Sequence, residues 1–177
     1  PLSLIPNFER WAVDLQTQVL ASDELWQSAS MNFELHANGA ADVPTIYSSG
    51  WYDSYTRATT ESYTHFAAAK ASRQRLLMGP WTHGDASLGV SFAGDVEFGD
   101  AAAYPEFVSH EAQLRFFDHH LKGVSNGVAD DPPVRIFVMG GGSGVKLPSG
   151  RLDHGGQWRD EREWPLARAV STAFHLQ

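Results

Sequence analysis

Two short apolar runs, Val43-Pro44-Thr45-Ile46-Tyr47 and Arg75-Leu76-Leu77-Met78, bracket a stretch from Ser54 to about Ala71 that contains neither Gly nor Pro. Short apolar runs bounded by turn formers read as buried strands, and these two are closed by Gly50 and by Gly79-Pro80. The stretch between them reads as a helix, with Tyr55, Thr59, Ser62, Tyr63, Phe66 and Ala67 on one semi-apolar face. Strand, helix and strand in succession over about 35 residues make a βαβ unit. Its two strands run parallel, because the helix carries the chain back to the edge where the first strand began. This unit commits the chain to an α/β architecture.

The two strand ends carry the chemistry. The first runs into Gly50-Trp51-Tyr52-Asp53 and the second into Gly79-Pro80-Trp81-Thr82-His83-Gly84. In a parallel sheet both ends lie at the carboxyl edge, where open α/β sheets place their sites. If the strands are neighbours, Asp53 and His83 come within hydrogen-bonding range across adjacent loops. An Asp that orients an imidazole and stabilises its protonated form is what a Ser-His-Asp mechanism needs, and acid before base is the α/β-hydrolase order. The alternative for Asp53 is structural, since it is also placed to cap the helix that follows. Trp51, Tyr52, Tyr55 and Trp81 flank the pair and are candidates for an acyl pocket, with core packing at the sheet ends as their alternative.

The remaining organisation follows from periodicity and punctuation. Residues 1–36 read as helical, with Phe8, Trp11, Leu15, Val19 and Leu20 as an apolar stripe and a second short helix starting at a Ser22 cap. Residues 84–104 read as a Gly-rich loop. A helix is expected from Pro105 to Lys122, with Phe107, His110 or Glu111, Leu114, Phe117 and Leu121 on one face and Gly123 as its C-terminal cap. Residues 124–132 read as a polar linker, and Val134–Met139 as a strand opening an all-β tail. In that tail Gln157-Trp158 and Glu163-Trp164-Pro165 are turn or edge punctuation, and Thr172–Leu176 is a last candidate strand.

Composition removes several function classes. With 13 basic and 21 acidic residues the net charge is −8, and no Lys/Arg cluster offers a face to a phosphate backbone. There is no Cys, so no disulfide, thiolate metal site or Cys nucleophile is available. No apolar run approaches the roughly 20 residues of a membrane span. The compartment is left open. The chain opens on Pro1 without a basic-then-apolar leader and reads as a piece of something longer. Asp118, His119 and His120 suggest a metal site, but neighbouring residues on a helix diverge by about 100° and a solvated face is the better reading. Asp95, Glu97 and Asp100 lack the spacing of a calcium loop.

The segments Gly50-Trp51-Tyr52-Asp53-Ser54-Tyr55-Thr56 and Gly79-Pro80-Trp81-Thr82-His83-Gly84 resemble the cocaine esterase / Xaa-Pro dipeptidyl-peptidase family of serine α/β-hydrolases. Three further segments fit in order: Gly94–Gly99, similar to its acidic-aromatic loop; Leu114–Gly123, similar to its last catalytic-domain helix; and Pro133–Gly140 with Trp158 and Trp164–Ala167, similar to the opening of its jelly roll. The resemblance implies four parts. Residues 1–40 would be a helical cap remnant and 41–123 the C-terminal part of an α/β-hydrolase domain. Residues 124–132 would be a linker and 133–177 the start of a jelly roll. It implies Asp53 as the acid, His83 as the general base and an ester or peptide as substrate, with no metal or organic cofactor. It also implies a Ser on a G-x-S-x-G elbow, and here the sequence departs from the pattern. The nearest segment, Gly89-Val90-Ser91-Phe92-Ala93, follows the His and ends in Ala, and Ser143 between Gly142 and Gly144 reads as a turn. Nucleophile and oxyanion donors are therefore expected in a missing N-terminal part of the catalytic domain. The alternative is a non-catalytic binding or complementing subunit derived from such an enzyme.

Overall fold

The computed structural model describes residues 4–84, 89–103 and 109–175. The chain divides into two compact units, Pro1–Ala41 and Asp42–Gln177. Among the described residues no helix is long and apolar enough to cross a membrane.

The first unit is helical: α1 (Pro6–Thr17), α2 (Glu24–Gln27) and α3 (Phe33–His36), the last continuing into a 3-10 turn over Ala37–Gly39. Phe8 and Trp11 pack one turn apart on α1, their rings tilted at 43° with centroids 5.3 Å apart. α1 stops at Thr17, so Val19 and Leu20 lie beyond it and the expected stripe ends early. The reason is a competing set of bonds: the Gln18 side chain accepts the Leu25 N–H, and the Asp23 carboxylate accepts that of Leu20. Asp23, not Ser22, occupies the cap position of α2, and its side chain makes no forward capping bond.

The second unit is built on β1 (Thr45–Tyr52), α4 (Thr56–Ala69) and β2 (Gln74–Thr82). β1 and β2 pair in parallel from Thr45 opposite Gln74 to Gly50 opposite Gly79. α4 crosses one face, laying Tyr63 and Phe66 against Tyr47, and Tyr63 joins Leu76, Met78, Val134 and Ile136 in one buried cluster. Each such side chain contributes about 1.5–3 kcal/mol by leaving water, so this cluster dominates the stability of that face.

Several elements differ from expectation. Phe92–Ala93 (β3) and Val96–Glu97 (β4) form a hairpin inside the expected Gly-rich loop, and Leu152–Asp153 (β6) joins it. The helix α5 spans His110–Lys122, with Ser109 as its N-cap and Gly123, at φ 71°, as its left-handed C-cap; Pro105 and Phe107 lie outside the described residues. On α5 the expected apolar stripe is exposed at Leu114, Phe117 and Leu121, while Arg115, Phe116, His119 and His120 are half-buried. Val134–Met139 (β5), expected to open a separate all-β domain, instead enters the main sheet parallel to β2. Gly156–Glu161 (β7) pairs antiparallel with it, so Trp158 is a strand residue opposite Phe137 rather than turn punctuation. Residues 171–175 form no strand, and Leu176 lies outside the described residues. The main sheet has the order β1-β2-β5-β7, with β1 at an edge.

The expected linker is tied down. Asp131 accepts from Arg75 at 2.8 Å and from Arg115 at 2.9 and 3.2 Å. A buried guanidinium on a central strand requires such a partner, because an unpaired ion there is strongly unfavourable.

Candidate active site

One glycine lets the strand ends approach. A Cβ on Gly50 would sit 2.0 Å from the Trp81 carbonyl oxygen, so no side chain fits there and β1 and β2 lie close where they leave the sheet. A Cβ on Gly79 would sit 2.3 Å from the Trp81 ring, so that glycine makes room for the indole of its own strand. The pairing register shifts between Gly50 and Tyr52, and the Asp53 N–H donates to the Gly50 carbonyl at 3.2 Å, which turns the chain as it leaves β1. Asp53 is the first residue past β1 and His83 the first past β2.

The two side chains meet. His83 Nδ1 lies 3.2 Å from Oδ1 and 3.1 Å from Oδ2 of Asp53. The Tyr55 backbone N–H also donates to Oδ1, at 2.8 Å. Asp53 thus bonds the turn entering α4 and the imidazole at once, but it does not cap the helix as the structural alternative expected: Tyr55 holds the N-cap position, with no side-chain capping bond. The turn is fixed by Thr56, whose hydroxyl donates to the carbonyls of Gly50 and Asp53. The Asp53 side chain is 11% exposed and that of His83 64% exposed. Burial pushes the Asp53 carboxyl up, but the Tyr55 N–H, the His83 ring and the Ser49 hydroxyl together hold it below the ordinary aspartate value. An ionised carboxylate only accepts, so Nδ1 carries the proton and Nε2 is left as an acceptor. Nε2 has no hydrogen-bond partner among the described residues.

Both residues border a cavity of about 670 Å³, whose wall includes Ser48, Ser49, Arg75, Arg115 and Phe116. Arg75 is the second residue of β2 and His83 the first past its end, so their backbones lie roughly 25 Å apart at about 3.3 Å per strand residue.

The four aromatic candidates separate. Trp81 is fully buried, its indole N–H donating to the Ala102 carbonyl at 2.9 Å and its ring packing on Trp158, so it is core rather than pocket. Trp51 is half-buried, donates to the Phe137 carbonyl at 2.8 Å and packs on Trp164. Tyr52 is exposed beside Phe98. Tyr55 is 58% exposed, with its ring 5.1 Å from that of His83. The sequence reading passed over Ser49 and the Asp131 pair of arginines. An Arg inside an apolar strand was the available signal for the latter. Ser143 donates to Asp153, as a turn residue would. Among the described residues no three metal-ligating side chains converge.

Comparison with known proteins gives relatives for the chain. Residues 6–85 match the family model described as X-Pro dipeptidyl-peptidase (S15 family). Cocaine esterase from Rhodococcus sp. (strain MB1 Bresler) is 35% identical over 167 residues, covering 94% of this chain and 25% of the esterase. A putative serine esterase from Mycobacterium bovis is 33% identical over 108 residues, covering 60% of this chain and 15% of that protein. The chain therefore spans a quarter or less of the length of these relatives. Two solved structures share the fold: an aminopeptidase from a marine sediment Thaumarchaeota archaeon and a CocE/NonD family hydrolase from Staphylococcus aureus. The first has a TM-score of 0.56 at 19% identity, covering 82% of this chain and 21% of that one. The second has a TM-score of 0.53 at 17% identity, covering 90% of this chain and 23% of that one. The resemblance read from the two strand-end motifs is borne out.

Proposed function

Starting from this kinship with the cocaine esterase / Xaa-Pro dipeptidyl-peptidase family of serine hydrolases, we propose that the segment supplies the acid and the general base of an acyl-transfer hydrolase. The nucleophilic Ser and the oxyanion donors would come from sequence outside these 177 residues. The observation that carries the reading is the Asp53–His83 contact at the carboxyl ends of adjacent parallel strands, with Nε2 of the imidazole unpartnered among the described residues.

In the proposed cycle Nε2 of His83 takes the Ser proton as Oγ bonds to the substrate carbonyl carbon. The protonated ring then gives that proton to the departing alcohol or amine as the acyl-enzyme forms. Water is deprotonated by the same nitrogen, attacks the acyl carbon, and the Ser regains its proton as the acid leaves. Asp53 holds the Nδ1 proton throughout and offsets the charge of the imidazolium. Esters and Xaa-Pro peptides are the two substrate classes supported by the names of the relatives.

The test uses the full-length natural protein, assayed with aryl esters and with Xaa-Pro anilides. Asp53→Asn and His83→Ala should each lower kcat by about 10³- to 10⁴-fold with folding retained. Turnover that survives His83→Ala at the wild-type rate would sink the reading. An unmodified protein that binds these substrates without hydrolysing either class would favour a non-catalytic subunit.

A further inference from the structure

We infer that Ser49 is a positioning residue: its buried hydroxyl is placed to donate to the Asp53 carboxylate once the site closes on substrate, and so to hold that group in line with His83. The inference rests on the catalytic reading above and deepens it.

Ser49 is 7% exposed, and its Oγ is buried without a partner at hydrogen-bond geometry among the described residues. A buried hydroxyl with no partner is destabilising, so its place on a strand calls for a use. Ser49 borders the same cavity as Asp53 and His83. A turn in which the Asp53 N–H donates to the Gly50 carbonyl at 3.2 Å brings Asp53 back beside the end of β1, next to Ser49. Of the other donors nearby, the Thr56 hydroxyl is committed to the Gly50 and Asp53 carbonyls, and the Tyr55 N–H already serves Oδ1. The His83 Nδ1 is nearly equidistant from both carboxylate oxygens. One further donor would settle which oxygen faces the ring. The Ser49 hydroxyl is among the groups that hold the Asp53 charge, which places it within reach of the carboxylate. Bonds of this kind are often long before substrate binds and tighten afterwards.

A double-mutant cycle in the full-length protein tests this, using ester hydrolysis and thermal unfolding of Ser49→Ala, Asp53→Asn and the double variant. Ser49→Ala should lower kcat by about five- to thirtyfold, the size expected for losing a bond to a charged group, with KM and Tm near wild type. On the Asp53→Asn background the same substitution should cost clearly less, no more than about a few fold, because the amide oxygen left there is a neutral and weaker acceptor. Ser49→Thr, which keeps the hydroxyl, should restore turnover, and the cycle decides even if its methyl is not accommodated. Wild-type kcat in Ser49→Ala, or an equal loss in both backgrounds, would overturn the inference and leave the catalytic reading standing. Wild-type turnover in Asp53→Asn would remove both.

Discussion

Replacing Gly50 by Ala tests the geometry that brings the acid to the base. The added Cβ would lie 2.0 Å from the Trp81 carbonyl oxygen, 2.6 Å from its carbonyl carbon and 3.1 Å from its Cα. All three are backbone atoms of a fully buried residue, so no side chain can swing aside. Real Cβ contacts essentially never fall below 3.0 Å, so one strand must shift by about 1 Å relative to the other. Overpacking of this kind costs about 1–3 kcal/mol. The shift also falls between the two strands whose ends carry Asp53 and His83, which now meet at 3.1 Å. A misplacement of about 1 Å in a catalytic group costs on the order of a hundredfold in rate. The variant should therefore lose stability and lose kcat well beyond what the stability loss explains. Gly39, where a Cβ meets nothing within 4 Å, provides the control. The measurements are urea unfolding and ester turnover on the full-length protein with each substitution. A Gly50→Ala protein with wild-type midpoint and wild-type kcat would refute the argument that Trp81 and Gly50 set the approach of the strands.

Two further outcomes follow from the charges. Asp131→Ala should destabilise by about 2–4 kcal/mol, somewhat less than a fully buried pair because Asp131 retains contact with solvent. Arg75→Met, which removes the buried charge itself and leaves Asp131 paired with Arg115, should cost less; equal urea midpoints for the two variants would contradict this. The Asp53 carboxyl is held below the ordinary aspartate value, so its stabilising contribution is complete above the unfolded-state pKa and is lost as pH falls through the lower folded one. The stability difference between wild type and Asp53→Asn should be flat above about pH 5 and shrink below about pH 4. A difference that instead grows on acidification would reverse the assigned direction.

The motif pair and the βαβ unit could be read from the chain because their signals are local. Gly50, Gly79 and Pro80 end apolar runs, the segment between them suits a helix, and parallel pairing follows from that order. The same locality let Gly123 be placed as a helix end and Ser143 as a turn. The apolar stripe on α5 shows the limit of periodicity, which marks Leu114, Phe117 and Leu121 as one face without saying which face turns inward. Arg115 and Phe116 face inward because Asp131 and the cavity wall are there, and those come from distant positions.

From sequence alone came an acid and a base at the ends of two parallel strands, because strand ends and helix spans depend on neighbouring residues. Only the tertiary structure decided that Val134–Met139 joins β2 in the main sheet, that Trp81 is core while Tyr55 stands beside the imidazole, and that Ser49 lies buried near the acid. Each of those depends on which surfaces meet, and a surface finds its partner through burial and hydrogen bonding between residues far apart in the chain.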